Sequence, residues 1–321
     1  MTVDRPRIGL CTDSTAQLPP ALVERFDVAV VPVTITLGAG RDVDRDDHDD
    51  HDDHDDHDDH EVDVLEGVEL DVDDWYRHDH SSIVAATAGA PSPGQFALAF
   101  ESLLDRGCVE IVSLHAAGAT CADPDVPAHA GSLNAARLAA HRLGVPVRVV
   151  ELDAAGFGIG CAVWAAGEAV AAGADLDEVV ARAQRTVAAL GHFVLTAPMQ
   201  VLRTGVAGAD EAPAIRLQRI VRGVLEDLGP AGGVSCVLDA VNVLAGEVVA
   251  WAPRARVAVG HGHPDTEPIA TALALAVGET AVVDEVLRYR IGPSSSLHTG
   301  PGVVRCFVMP TDLPTDLPTD G

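Results

Sequence analysis

The stretch PSPGQFALAFESLLDRGCVEIVSL, Pro91 to Leu114, holds the turn of the chain on which the fold is decided. Ser92 is a helix N-cap, Pro93 fits the first helical position because its missing N–H would be unsatisfied there anyway, and Phe96, Leu98, Phe100, Leu103 and Leu104 supply apolar positions. Gly107 stops the helix, and Val109 to Leu114 follows as a short strand rich in β-branched residues. The same grammar repeats on either side. Upstream, Ile8 to Cys11 is a strand, a Thr/Asp/Ser turn follows, a helix starts near Pro20, and Val28 to Leu37 alternates as a second strand. Downstream, Ser132 to Leu143 is a helix closed by Gly144, and Val147 to Leu152 is a strand. Strand, helix, strand, helix, strand predicts an α/β domain with a largely parallel, Rossmann-like sheet and right-handed crossovers.

Beyond residue 152 the pattern becomes mixed. An Ala-rich helix follows the glycines at 156, 158 and 160, a further helix runs from Asp177 to Leu190, and His192 to Thr196 is a strand. The run GGVSCVLDAVNVLAGEVVAW alternates like an antiparallel hairpin, RVAVGHGHPDTEPIATALALA returns to strand and helix, and TAVVDEVLRYRIG and GVVRCFVMP add two strands. The expectation is therefore two α/β domains, residues 1–170 and 171–309, the second with a mixed sheet. A cleft between two such domains is a favoured place for a small ligand.

A net charge of −28, with 21 Arg and no Lys, argues against a phosphate-binding surface and hence against a nucleic-acid partner. The hydrophobic fraction of 47% supports sizeable cores, and no apolar run reaches the roughly 20 residues that span a bilayer, so no integral membrane association is expected. The N-terminus MTVDRPRIGLCTDST lacks the basic and apolar regions of an export signal, which places the expected location in the cytoplasm. Six cysteines without a CxxC, several within apolar runs, predict reduced thiols rather than a disulfide framework or zinc knuckle.

Two tandem repeats stand apart. Asp-Asp-His recurs from Asp46 to His60 with a period of three, matching neither a helix nor a strand. Residues 41–66 are read as an acidic, disordered insertion, with metal capture by imidazole and carboxylate as the functional alternative. A catalytic metal needs a few rigidly held ligands, so the repeat is not read as an active site, and no metal ligand is assigned. Residues 310–321 form a Pro-Thr-Asp tail, read as a disordered extension. Three further features have the residue types of chemistry. The spacing of Gly156, Gly158 and Gly160 does not meet G-x-G-x-x-G. Cys11 stands at a strand end near Asp13 and Ser14 without a visible base, and HGHPD, His261 to Asp265, offers two histidines without a visible third ligand. No catalytic residue is assigned.

Four stretches in register resemble the DegV family of bacterial fatty-acid-binding proteins: TDSTAQLP (Thr12 to Pro19), APSPGQF (Ala90 to Phe96), FVLTAPMQVLRTG (Phe193 to Gly205) and IGPSSSLHTGPGVV (Ile291 to Val304). The resemblance implies a two-domain protein, not an enzyme, that buries a long acyl chain in an apolar tunnel and holds its carboxylate at the domain interface. It implies no cofactor beyond the bound fatty acid. It further implies a partner, a fatty acid kinase subunit that makes acyl phosphate for phospholipid synthesis. Carried over by position, the carboxylate contacts are Ser14, Thr87, Ser92, His298, Thr299 and Gly300, and Arg203 is the head-group or kinase contact. The chain departs from the family where Ala88 and Gly89 replace a Thr-Ser pair, where Ala116 and Ala117 replace serines, and where TGVAGADEAP replaces a Gly-Gly-Arg turn. Either Thr87, Thr120 and His115 substitute for the lost donors, or the ligand is not an ordinary fatty acid. The alternatives are a degenerate paralogue with another cargo or none and a regulatory role, and a metal-binding protein that uses the Asp/His repeat.

Overall fold

The computed structural model describes residues 7–37, 61–77, 86–117, 128–143, 145–204, 215–221, 224–228, 234 and 236–313. The Asp/His repeat and the end of the Pro-Thr-Asp tail lie outside the described residues. The strands are β1 (Ile8–Asp13), β2 (Ala29–Val31), β3 (Thr34–Leu37), β4 (Val62–Leu65), β5 (Thr87–Gly89), β6 (Glu110–Ala116) and β7 (Val147–Leu152) in the first half of the chain. In the second half they are β8 (Gly191–Thr196), β9 (Arg216–Val221), β10 (Val224–Leu228), β11 (Ala255–His261), β12 (Val283–Arg290) and β13 (Val303–Pro310). The helices are α1 (Pro20–Phe26), α2 (Val72–Arg77), α3 (Pro93–Asp105), α4 (Ala128–Ala140) and α5 (Phe157–Ala171), then α6 (Leu176–Ala189), α7 (Met199–Thr204), α8 (Val237–Trp251), α9 (Glu267–Gly278) and α10 (Pro293–Thr299).

Strand β1 is buried at every position, as a central strand covered on both faces must be. It lies in a four-stranded, all-parallel sheet of order β2-β1-β6-β7. Helices α3 and α4 cover one face through Phe96, Phe100, Leu103, Ala135, Ala136 and Ala139. The other face meets α5 and α6 through Ile159, Ala162, Val163, Ala166, Val179, Val180 and Ala183. The opposite side of α5 presents Phe157, Cys161, Trp164 and Ala165 to a six-stranded mixed sheet of order β10-β9-β8-β13-β11-β12, where they pack on Tyr289, Val303 and Phe307. An element buried on all sides must be apolar all round, and α5 is buried at each residue from Phe157 to Gly167. Helices α8 and α9 cover the far face of the mixed sheet. The layers thus run helix, parallel sheet, helix, mixed sheet, helix.

The structure departs from the sequence expectations at three elements. Val28 to Leu37 is not one strand: β2 ends at Val31, Pro32 intervenes, and β3 joins a separate three-stranded antiparallel sheet, β4-β3-β5. Proline offers no N–H to a ladder and restricts the residue before it, so the strand breaks there. Val62 to Leu65, counted within the disordered insertion of residues 41–66, is strand β4, paired with β3 in the register Leu37↔Val62 to Thr34↔Leu65. The run expected as a hairpin is helix α8, whose Ala240, Val241, Leu244 and Val248 form one face against the mixed sheet. The antiparallel hairpin of this region is β9 with β10.

Candidate functional site

Three elements converge where β1 ends: a 3-10 turn, Ser14–Ala16, the three-stranded sheet and α10. The outlet of parallel strands at their carboxyl ends is where open α/β sheets bind ligands. Between these elements lies an open cleft lined by Thr15, Val33, Ala88, Gly89, Ala90, Ser294 and His298.

Glu66 ties the walls together. Its carboxyl group is buried, with 6% of the residue exposed. Oε2 accepts from Ser14 Oγ at 2.5 Å, and Oε1 accepts from both the N–H and the Oγ of Ser294 at 2.9 Å. Ser14 Oγ in turn accepts from the Val33 N–H at 3.0 Å. Burial pushes the Glu66 carboxyl above its ordinary value, and the bonds from Ser14 and Ser294 only partly offset that shift. A latch lies alongside: Trp75 Nε1 donates to Ser296 Oγ at 2.6 Å, and the Tyr76 hydroxyl donates to the Ile291 carbonyl at 2.9 Å. Glu66 and α2 thereby fasten the first half of the chain to α10.

Beneath the turn runs a second network, in which Asp13 Oδ2 lies 2.9 Å from His115 Nδ1 and His115 Nε2 lies 2.7 Å from Ser113 Oγ. The order of groups is that of a hydrolytic triad, but Ser113, His115 and Asp13 are 0%, 1% and 3% exposed, and Phe96 sets its ring edgewise on the imidazole. The serine is not presented to a substrate. Burial opposes the Asp13 charge, yet the hydrogen bond and charge of His115, with two bonds from Thr15, hold its carboxyl below the ordinary value. Asp13 also receives the Thr15 N–H at 3.1 Å, so the network fixes the turn that carries Ser14 and Thr15. Burial pushes the Cys11 thiol up to about 12, which keeps it protonated at neutral pH.

Of the residues singled out in the sequence, His298 lines the cleft from the last turn of α10. Ser14 is not among the lining residues; its Oγ is engaged with Glu66. Thr299 Oγ1 donates to the Ser295 carbonyl at 3.1 Å, within its own helix, and Gly300 ends that helix at φ 72°, a left-handed conformation that favours glycine. Thr87 is exposed on β5, and Ser92 is the exposed N-cap of α3, where its Oγ accepts from the Gln95 N–H at 3.3 Å. Arg203 is exposed at the end of α7 and pairs with Asp265 at 2.5 Å. Neither Thr87, Ser92 nor Arg203 is among the cleft's lining residues. His115 is committed to Asp13 and Ser113, and Thr120 lies outside the described residues. In HGHPD, His263 Nδ1 accepts from the Asp265 N–H at 3.1 Å. Among the described residues no group of three or more His, Cys, Asp or Glu is placed to hold a metal ion.

Sequence reasoning missed Glu66 and Ser294. Ser294 stood inside one of the four family-like motifs without being singled out, and Glu66 was lost in the acidic background of the neighbouring repeat.

The chain matches the family model described as an uncharacterised protein of the DegV family over residues 56–220, slightly more than half its length. It is 28% identical over 303 residues to a DegV domain-containing protein of Mycobacterium tuberculosis, covering 92% of this chain and 95% of the relative. To one of Streptomyces coelicolor it is 26% identical over 313 residues, covering 92% and 96%. Among solved structures, a fatty-acid-binding DegV family protein from Thermus thermophilus superposes with a TM-score of 0.70 at 24% identity, over 95% of this chain and 99% of that one. DegV of Bacillus subtilis, a fatty acid binding protein, superposes with a TM-score of 0.65 at 15% identity, over 95% and 99%. Among the described residues no helix is long and apolar enough to cross a membrane. By the family model and by full-length likeness in sequence and fold, the chain belongs to the DegV family.

Proposed function

We propose that this protein binds one long-chain fatty acid, with the acyl chain between its two large sheets and the carboxylate at the cleft, and presents that carboxylate to a partner fatty acid kinase for acyl-phosphate formation. The reading rests on one observation: a cleft that carries the polar groups of Thr15, Ser294 and His298 among Val33, Ala88, Gly89 and Ala90, in a fold shared along 95% of the chain with a fatty-acid-binding relative. The apolar layer holds Phe157, Cys161, Trp164, Tyr289, Phe307 and Met309. Each methylene buried there contributes about 0.8 kcal/mol, so a long chain supplies affinity while the cleft fixes its head. His298 is the donor nearest the carboxylate in this reading, and Arg203, exposed on α7, is the contact for the kinase.

Native mass spectrometry of delipidated protein offered C14 to C18 fatty acids tests the reading. One equivalent is expected to bind, and His298→Ala is expected to weaken it about tenfold or more, the loss that follows removal of a donor to a charged group. Protein that takes up no fatty acid overturns the proposal.

A further inference from the structure

Two of the three polar side chains that line the cleft, Thr15 and Ser294, have their hydroxyl protons committed behind it. Thr15 Oγ1 donates to Asp13 Oδ1, and the Thr15 N–H reaches the same oxygen at 3.1 Å. Ser294 Oγ donates to Glu66 Oε1 at 2.9 Å, and the Ser294 N–H reaches that oxygen at 2.9 Å. A hydroxyl has one proton and an ionised carboxylate can only accept, so each bond fixes where its proton points. Toward the cleft both oxygens are left with lone pairs. Such a lining suits a head that donates a hydrogen bond and opposes one that only accepts, which is the character of a fatty acid's carboxylate at neutral pH. His298 is the third polar side chain of the lining, and Val33, Ala88, Gly89 and Ala90 add no side-chain donor.

The two carboxyl groups behind the hydroxyls differ. His115 and Thr15 hold Asp13 in its ionised form, so Thr15 Oγ1 stays an acceptor. Glu66 is held by neutral groups, the hydroxyls of Ser14 and Ser294 and the Ser294 N–H. Facing it are the Asp13 charge from the end of β1 and the Tyr76 hydroxyl of α2, which burial keeps un-ionised. On α10, His298 stands one turn beyond Ser294, and Arg290 and Arg305 act on Tyr76 from β12 and β13. Glu69 is exposed and accepts the Leu65 N–H at 2.9 Å. Burial first, and the Asp13 charge with it, favour the neutral form of Glu66. We infer that a fatty acid's carboxylate enters the cleft together with one proton from solvent, taken by Glu66. The contact between Glu66 Oε1 and Ser294 Oγ then reverses: the Glu66 O–H donates, Ser294 Oγ accepts, and the Ser294 O–H turns to the ligand. One proton passes from water to Glu66 for each carboxylate bound, and no other covalent bond changes. Two carboxyl groups joined through one hydroxyl thus carry a single negative charge, as closely spaced carboxylates do. The inference rests on the fatty-acid reading and deepens it by making Glu66 the residue that decides whether the head is accepted as an anion.

The test measures binding of palmitate, kept below its aggregation range, and of hexadecan-1-ol to the full-length protein and to Glu66→Gln between pH 5 and pH 9. Calorimetry in two buffers of different ionisation enthalpy counts the protons taken up. For the parent protein, palmitate is expected to bring close to one proton, and its affinity to fall about tenfold per pH unit above the raised Glu66 value. Hexadecan-1-ol carries its own donor and is expected to bind without uptake and with a flat pH profile. Glu66→Gln, whose carboxamide N–H donates to Ser294 at every pH, is expected to bind palmitate without uptake. Where that variant does not fold, His298→Gln carries the test: uptake is expected to persist in it, and its loss would assign the proton to His298 and overturn the inference. Palmitate binding without uptake across the range, or uptake that survives in Glu66→Gln, likewise overturns the inference and leaves the fatty-acid reading standing. A parent protein that binds neither compound overturns both.

Discussion

Glu66 is one residue after a four-residue strand, yet it holds together the end of β1, the start of β3 and α10. Its burial has a measurable consequence. The folded protein holds the Glu66 proton more tightly than the unfolded chain does, so the residue's contribution to stability is fully present below the ordinary Glu value of about 4.3 and is lost as pH rises through the raised value. Glu66→Gln keeps an acceptor for Ser14 or Ser294 and removes the titration. Thermal melts between pH 4 and pH 8 are expected to show the variant gaining on the parent protein as pH rises. Parallel curves for the two proteins would contradict this. Asp13, shifted downward, adds stability above its ordinary value and loses it in acid, but it is common to both proteins and cancels in the difference. Gln17 makes the complementary point at this scale: a buried carboxamide with no hydrogen-bond partner is informative because apolar neighbours alone cannot explain it.

At the scale of elements, the boundary between β2 and β3 follows from a single proline, and the capping of α3 follows from Ser92 and Gln95, which bond reciprocally with each other's backbone. The segment joining β3 to β4 is different in kind. Leu37 and Val62 are directly paired across an antiparallel ladder, so the 24 residues between them close a gap that a short turn could close. Deletion of Asp46 to His60 leaves nine residues in that connection, and the shorter closure costs about 1 kcal/mol less entropy. The deletion is expected to leave the melting temperature unchanged or slightly raised and fatty-acid uptake intact, measured by thermal denaturation and by the mass-spectrometric assay above. Loss of uptake with an intact fold would instead assign the repeat a part in function. Helix α8 shows the opposite hazard. Its run of Val, Leu and Ala matches a period of two nearly as well as one of 3.6, and the face packed on the mixed sheet decides between them.

For the whole molecule, α5 is the shared layer: one side belongs to the core of the parallel sheet and the other to that of the mixed sheet. Trp164 is fully buried on the second side, and its ring lies 5.5 Å from the Arg256 guanidinium. Trp164→Ala is expected to destabilise the protein by about 3–5 kcal/mol, read from a denaturant midpoint with unchanged slope. A loss below 1 kcal/mol would mean that the two sheets do not depend on this layer. The sequence by itself determined the alternation of strand and helix, the start and stop of α3, the parallel sheet and the resemblance in four motifs, because caps, turns and periodicity act over a few residues and leave a local mark. Only the tertiary structure decided that Val28 to Leu37 serves two sheets, that Glu66 is a buried hub and not part of an acidic insertion, and that the Gln17 carboxamide is buried without a hydrogen-bond partner. Those facts depend on which distant segments share a volume, and burial of a carboxyl or a carboxamide is a property of that volume and not of the residue's neighbours in the chain.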